Sequence, residues 1–277
     1  GSGMTSTPSP SHHLFSRITV RRDGLDPAHL FDLMHGNAYR EHALLWRLFP
    51  GEGRPRDFVF RAERDPRGLP QYYVVSKREP RPVAGALHVD IHPRPYPPDL
   101  ETGMRLHFRL RANPTTATRE ELGSEALAQY NARRAAMSEK PPKSHHGRRE
   151  FHDVIMAAKK ACGHVKGWKP SRSQRDEFDR LVDQAARAWL LDRLPRWGLT
   201  ICERGDYWSD DPVPALRWDA YCQHRLPRGG GMLQFSSIDY EGEVQVFDPS
   251  LLRQALVQGV GRAKAFGCGL LLVRPVV

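Results

Sequence analysis

The sequence predicts an α+β protein made of two tandem ferredoxin-like (RRM-like) βαββαβ domains, and three observations carry that expectation. Each half of the chain runs approximately strand, helix, strand, strand, then a further strand, which is the split βαβ pattern used twice. Two helices start on the same signal, an Asp able to cap followed by Pro at the first helical position, at Asp26-Pro27 and Asp248-Pro249. The 277 residues are 39% hydrophobic and 27% charged, enough apolar material for the core of one large domain or two ordinary ones.

Residues 1–13, a Gly-Ser-Gly cloning remnant and a polar Pro/Ser-rich lead-in, are set aside from the fold. The N-terminal domain is expected over residues 14–98. Leu14 to Val20 alternates as a strand, and a helix starts at Asp26-Pro27, breaks at His35-Gly36-Asn37 and resumes from Ala38 to Phe49. Asp57 to Glu63 and Gln71 to Lys77 read as strands around an Asp-Pro-Arg-Gly turn, and Ala86 to Ile91 as a fourth strand. Pro93, Pro95, Pro97 and Pro98 mark the linker.

The C-terminal domain is expected over residues 99–277. Arg105 to Arg111 is a strand in which basic and apolar residues alternate, and a basic insertion follows over about residues 115–174. An amphipathic helix spans Arg175 to Arg196, closed by Gly198, and Leu199 to Glu203 is strand-like. Leu233 to Tyr240 and Glu243 to Phe247 read as a hairpin turning at Glu241-Gly242. Ser250 to Gln258 is the last helix, ending at Gly259, and a glycine-rich loop over residues 259–269 leads into the apolar strand Leu270 to Val273.

The net charge is +10 with a pI near 9.7, which points to a polyanionic partner. Twelve basic residues against three acidic ones lie between Asn131 and Arg175, so that stretch holds nearly the whole excess. It reads as a solvated basic loop that also serves as a phosphate-contacting arm, with Arg148 and Arg149 among its expected contacts. No apolar run has the roughly 18 residues a membrane span needs, so a transmembrane protein is excluded. Cys162, Cys202, Cys222 and Cys268 are too far apart in sequence for a zinc knuckle or a disulfide framework, and reduced thiols in the cytosol are expected.

Two segments could carry chemistry. The loop Gly259-Val-Gly-Arg-Ala-Lys-Ala-Phe-Gly-Cys-Gly269 sets four glycines around Arg262 and Lys264, so that backbone amides at Gly261 and Gly267 can approach a phosphate while the two cations supply charge. It is no Walker loop, and a glycine-rich turn of this kind is more often plain loop geometry. In Tyr39-Arg-Glu-His42, a phenol and an imidazole three apart share one helical face and can exchange protons with a hydroxyl nucleophile and its leaving group. The bland alternative is a Tyr and a His flanking a core helix. Neither Cys162-Gly-His164 nor His145-His146 has a matching second pair of metal ligands.

Three blocks then occur in order: Tyr39-x-x-His42 running into Leu45-Trp-Arg-Leu-Phe-Pro50, Phe108-Arg-Leu-Arg-Ala-Asn-Pro114, and the glycine loop running into Leu270-Leu271. Together they resemble the CRISPR-associated CasE family, over about Leu14 to Pro275. The resemblance implies a metal-independent endoribonuclease, without a small-molecule cofactor, that binds the CRISPR repeat hairpin in precursor RNA. It cuts at the 3′ base of the stem through attack of the upstream 2′-hydroxyl and keeps the crRNA among the other Cascade subunits. It further implies that Tyr39 and His42 are the catalytic pair, with His42 as general acid and Tyr39 as base or orienting group. Arg47 would face the phosphorane charge. Arg109, Arg111, Gly261, Arg262, Lys264 and Gly267 join Arg148 and Arg149 as expected RNA contacts. His35, four residues before Tyr39, is the competing imidazole but lacks the spacing to Trp46. A non-catalytic hairpin-RNA-binding subunit and a module that places its basic segment on an acidic protein are the alternatives.

Overall fold

The structure, a computed structural model, describes residues 12–51, 56–119, 124–137, 149–164, 166–206 and 209–277. By compactness the chain forms two units, Gly1–Asn113 with Leu190–Val277, and Pro114–Trp189.

The first unit opens with β1 (Leu14–Val20), α1 (Pro27–Met34), α2 (Ala38–Trp46), β2 (Phe58–Arg64), β3 (Pro70–Ser76), β4 (Leu87–Ile91) and β5 (Arg105–Ala112). The second unit holds β6 (Thr115–Arg119), α3 (Ser124–Met137), β7 (Arg149–Asp153), α4 (Val154–Ala161) and most of α5 (Arg172–Arg193). The first unit resumes with β8 (Leu199–Ile201), β9 (Glu203–Asp206), β10 (Ser209–Pro214), β11 (Leu216–Arg228), β12 (Gly231–Val246), α6 (Pro249–Gln258) and β13 (Leu271–Pro275).

Two antiparallel sheets organise the first unit. One has the order β2-β3-β1-β4 and the other β11-β12-β5-β13, with β8 pairing along β12. With β5, β11, β12 and β13 taken as first to fourth, the two strand orders are the same, and this is the tandem ferredoxin-like α+β fold. The first set departs from the pattern in one place, since no helix lies between β3 and β4.

Local chemistry sets the helix starts. The Asp26 carboxylate accepts from the His29 N–H at 2.8 Å at the head of α1, with Pro27 as first helical residue. The Asn37 amide oxygen accepts from the Arg40 N–H at 3.1 Å and starts α2. Between them the chain turns at Gly36, whose φ of +71° lies in the left-handed region. Both helices and the turn after α2 lay Leu33, Leu44, Leu45, Leu48 and Phe49 on Ile18, Phe60, Tyr72 and Val74 of the first sheet, each leucine contributing about 1.5–3 kcal/mol. The other face of β2 and β3 is buried too, Val59 and Val75 meeting Leu270 ahead of β13. Coverage on both faces accounts for the unbroken apolar run Phe58-Val-Phe60 where alternation would otherwise be expected.

Arg111 on β5 ties the two sheets together. It donates to both carboxylate oxygens of Asp239, at 2.8 and 3.2 Å, and to the Ala62 carbonyl of β2 at 2.7 Å. Arg109, two residues earlier, reaches Glu63 at 3.0 Å.

Two sequence expectations need correction. No hairpin turns at Glu241-Gly242, because β12 runs unbroken from Gly231 to Val246 and the turn lies at Gly229-Gly230, after a strand β11 that the sequence reading missed. Gly242 is there for another reason: a β-carbon on it would stand 2.1 Å from the Ala215 carbonyl oxygen. The second correction concerns the basic insertion. Its described residues form regular structure, with β6 paired to β7 and Asp153 capping α4 through the Ile155 and Met156 amides.

Candidate active site

α2 carries Tyr39 and His42 one turn apart on a common face, away from its buried residues Leu44 and Leu45. Tyr39 stands 43% exposed at the start of the helix. His42 is half-buried between two rings. The Trp46 indole N–H donates to its Nε2 at 2.7 Å, and the Phe266 ring meets it edge-on with centroids 5.7 Å apart. A nitrogen that accepts carries no proton, so the neutral ring holds its proton on Nδ1. Arg47 follows as the C-cap of α2, exposed, and its guanidinium makes no hydrogen bond or ion pair among the described residues.

Phe266 brings in the glycine-rich loop. It ends a short helical turn, Lys264–Phe266, that packs against α2, so the loop and the catalytic candidates meet in space although they lie at opposite ends of the sequence. The loop is pinned at its base, Val260 N–H to the Gly269 carbonyl at 2.9 Å and Cys268 N–H to the Ala263 carbonyl at 3.2 Å. In between, the amides of Gly261, Ala263, Lys264 and Ala265 meet no acceptor among the described residues. A run of unengaged N–H groups in a bent loop is an anion-binding concavity. Arg262 is exposed beside it. The Lys264 stem lies across Gly259 and Gly269, and burial, then the nearby Arg56 charge, lowers the Lys264 pKa.

The two loop glycines singled out by sequence differ in role. A β-carbon on Gly261 (φ +71°) would point into open space, whereas one on Gly267 (φ +88°) would meet the Phe60 ring at 3.2 Å. Gly261 therefore belongs to the open face of the loop and Gly267 to its packed back. His35 has separate work. Its Nδ1 donates to the Phe31 carbonyl at 2.8 Å, and its ring stacks on Phe31 at 4.0 Å, at the end of α1.

The model of the family described as CRISPR associated protein matches residues 15–275. The CRISPR system Cascade subunit CasE of Escherichia coli strain K12 is 27% identical over 245 residues, covering 86% of this chain and 92% of that protein. The chain belongs to the CRISPR-associated CasE family. A second relative, the CRISPR-associated endoribonuclease Cse3 of Thermus thermophilus, is 29% identical over 189 residues, 66% of this chain and 62% of its own length. Among solved structures, Thermus thermophilus Cse3 bound to an RNA representing a pre-cleavage complex superposes with a TM-score of 0.58 at 24% identity, over 95% of this chain and all of that one. Cas6e from Escherichia coli K-12 does so with 0.53 at 20% identity, over the same shares. At these identities the structural likeness establishes the fold.

In this CasE-family chain, α2 and the glycine loop bring together Tyr39, His42 and the segment holding Gly261, Arg262 and Lys264. Arg109 lies on β5 with half its side chain exposed, paired to Glu63, and Arg111 is the partly buried tie between the sheets. Arg148 lies outside the described residues, and of Arg149 only the backbone, at the start of β7, is described. Among the described residues, no three His, Cys, Asp or Glu side chains are grouped as a metal site, and no helix is long and apolar enough to cross a membrane.

Sequence reasoning assigned no role to Trp46, Phe266 or Glu41. Trp46 was within reach, four residues after His42 and so on the same stripe. Phe266 was not, because its contact with His42 is purely tertiary. Glu41 sits between Tyr39 and His42, yet it is 6% exposed, and burial raises its carboxyl to about 7 against the opposing pull of Arg64 and Arg111.

Proposed function

We propose that this chain is a repeat-processing endoribonuclease. It binds the CRISPR repeat hairpin in precursor RNA, cleaves at the 3′ base of the stem, and retains the product within a cytoplasmic Cascade assembly. The observation that carries the reading is the packing of His42 against Phe266, which sets a proton-transfer group beside a loop of unengaged amides. The names of the relatives support it: one is a Cascade subunit, and the other an endoribonuclease.

The 2′-hydroxyl just upstream of the cut attacks the scissile phosphorus. The P–O5′ bond breaks, leaving a cyclic phosphate upstream and a 5′-hydroxyl downstream. The nucleophile is internal, so the protein has only to move protons and hold charge, which needs neither metal nor cofactor. Tyr39, exposed at the head of α2, orients the 2′-hydroxyl or takes its proton. His42 delivers a proton to the leaving oxygen, and Arg47 with the loop amides faces the phosphorane. The resting His42 accepts from Trp46 at Nε2, so the ring gains its second proton only when that bond opens. Gly261, Arg262 and Lys264 hold phosphate, whereas Arg111 acts by tying β5 to β2 across the two sheets.

The test is incubation with repeat RNA in EDTA. Cleavage to a cyclic phosphate is expected, while a substrate with a 2′-deoxy sugar just upstream of the cut binds and stays whole. A hairpin that binds tightly and is never cut would make the chain a non-catalytic RNA-binding subunit.

A further inference from the structure

A cleft of about 430 Å³ opens beside α2 between the two sheets. Ala38 and Glu41 line it from α2, while Tyr39 and His42, on the neighbouring face of the helix, do not. Phe266 serves both places: it walls the cleft and packs edge-on against His42. Behind it the Phe235 ring stacks on Phe266 at 5.4 Å and the His224 ring on Phe235 at 4.4 Å, so one side of the cleft is a stack of flat rings.

Glu41 is the unexplained group. It is more than nine-tenths buried, yet its carboxyl makes no hydrogen bond and no ion pair among the described residues. An isolated buried carboxylate is costly and is normally paired. Arg111 forms no hydrogen bond with it, and three of its five N–H groups go to Asp239 and the Ala62 carbonyl. Arg64 stands exposed on the lining, bonded to the Gly68 carbonyl, with charge to offer a ligand. The cleft thus lacks two N–H donors side by side for Glu41 and an anion for Arg64, and it has an aromatic wall.

Guanine presents that pair of donors, its N1–H and N2 amino group lying along one edge and matched to the two oxygens of a carboxylate. Adenine, cytosine and uracil each offer no two adjacent donors on the same edge. We propose that the cleft is a guanine subsite and that Glu41 reads the base, with the nucleotide's phosphate on Arg64. The proposal rests on the endoribonuclease reading, for Glu41 and His42 are consecutive residues and the base bound is that of the nucleotide just downstream of the scissile phosphate, whose donor edge the stem does not occupy.

The test has two arms. GMP, AMP, CMP and UMP are titrated separately into the full chain by equilibrium dialysis, above the Glu41 pKa of about 7. The wild type is expected to prefer GMP on the order of tenfold, a loss of paired charge-assisted bonds accounting for the difference. Glu41→Gln, which keeps shape and removes a buried charge, brings GMP level with AMP. Arg64→Met weakens all four alike and leaves the preference in place. A wild type without preference, or a Glu41→Gln protein that keeps it, overturns the subsite. In the second arm, repeat hairpins carry each base in turn just downstream of the cut. Guanine is expected to be favoured there, and Glu41→Gln to cut without that preference. A wild type that cleaves no hairpin overturns the endoribonuclease reading instead, and the GMP titration then decides the cleft alone.

Discussion

The indole N–H of Trp46 donates to Nε2 of His42 across 2.7 Å, one turn along α2. The bond favours the neutral ring and fixes its tautomer, because an imidazolium would set one N–H against another. Trp46→Phe keeps an aromatic ring beside Phe58 and removes the donor. Nitrogen-15 spectra should place the wild-type His42 proton on Nδ1 and show a mixture of tautomers in the variant. The limb of the pH–rate profile that reports His42 should move to higher pH, since the neutral form has lost its support. Identical tautomers in both proteins would sever Trp46 from the mechanism.

His42→Ala should lower cleavage on the order of 10²–10⁴-fold, the usual loss for a general acid, and leave repeat binding nearly intact. His35→Ala should cut at close to the wild-type rate, because its ring serves the end of α1. Single-turnover rates beside filter-binding affinities decide it. The opposite pattern, a dead His35→Ala and an active His42→Ala, would mean that the catalytic helix has been read in the wrong register.

Gly261→Ala and Gly267→Ala separate binding from folding. Both force an alanine to positive φ, at a cost of about 1–2 kcal/mol. At Gly261 the new β-carbon meets nothing, so the main effect should be weaker hairpin binding as it rises on the open face of the loop. At Gly267 it presses on Phe60, and thermal stability should fall further than at Gly261. Equal losses of melting temperature with unchanged affinity would leave the loop as scaffold alone.

Glu41 makes stability depend on pH with a definite sign. Its folded pKa of about 7 lies above the unfolded 4.5, so the folded state binds the extra proton. The contribution is fully present below pH 4.5 and is lost as pH rises through 7. At 1.36 kcal/mol per unit the separation amounts to about 3 kcal/mol. Glu41→Gln should match the wild type in urea unfolding at pH 4 and exceed it at pH 8 by an amount of that order. Parallel curves would show that the carboxyl is solvated.

Arg111→Lys should destabilise by about 1–3 kcal/mol in urea unfolding, since an ammonium cannot span two Asp239 oxygens and the Ala62 carbonyl at once. An unaffected variant would remove Arg111 from the account of how the sheets are joined.

The sequence by itself determined what is set within a few residues. Asp26-Pro27, Asn37 and Asp248-Pro249 start their helices wherever the chain goes, because a cap needs only its own next turn. Alternation along Arg105–Ala112 and the stripe of Tyr39, His42 and Trp46 are periodicities of the backbone, so both elements and the face shared by these side chains were legible. Where local signals were ambiguous the reading failed. Glu241-Gly242 looks like a turn in isolation, and only its pairing with Arg109 and Phe108 of β5 makes it a strand, the nearby Ala215 carbonyl requiring the glycine. Phe266 against His42, Arg111 across two sheets and Glu41 facing an open cleft were decided by tertiary structure alone. Each depends on the distance between segments far apart in the chain, and hydrophobic periodicity constrains which face of an element is buried but not what it is buried against.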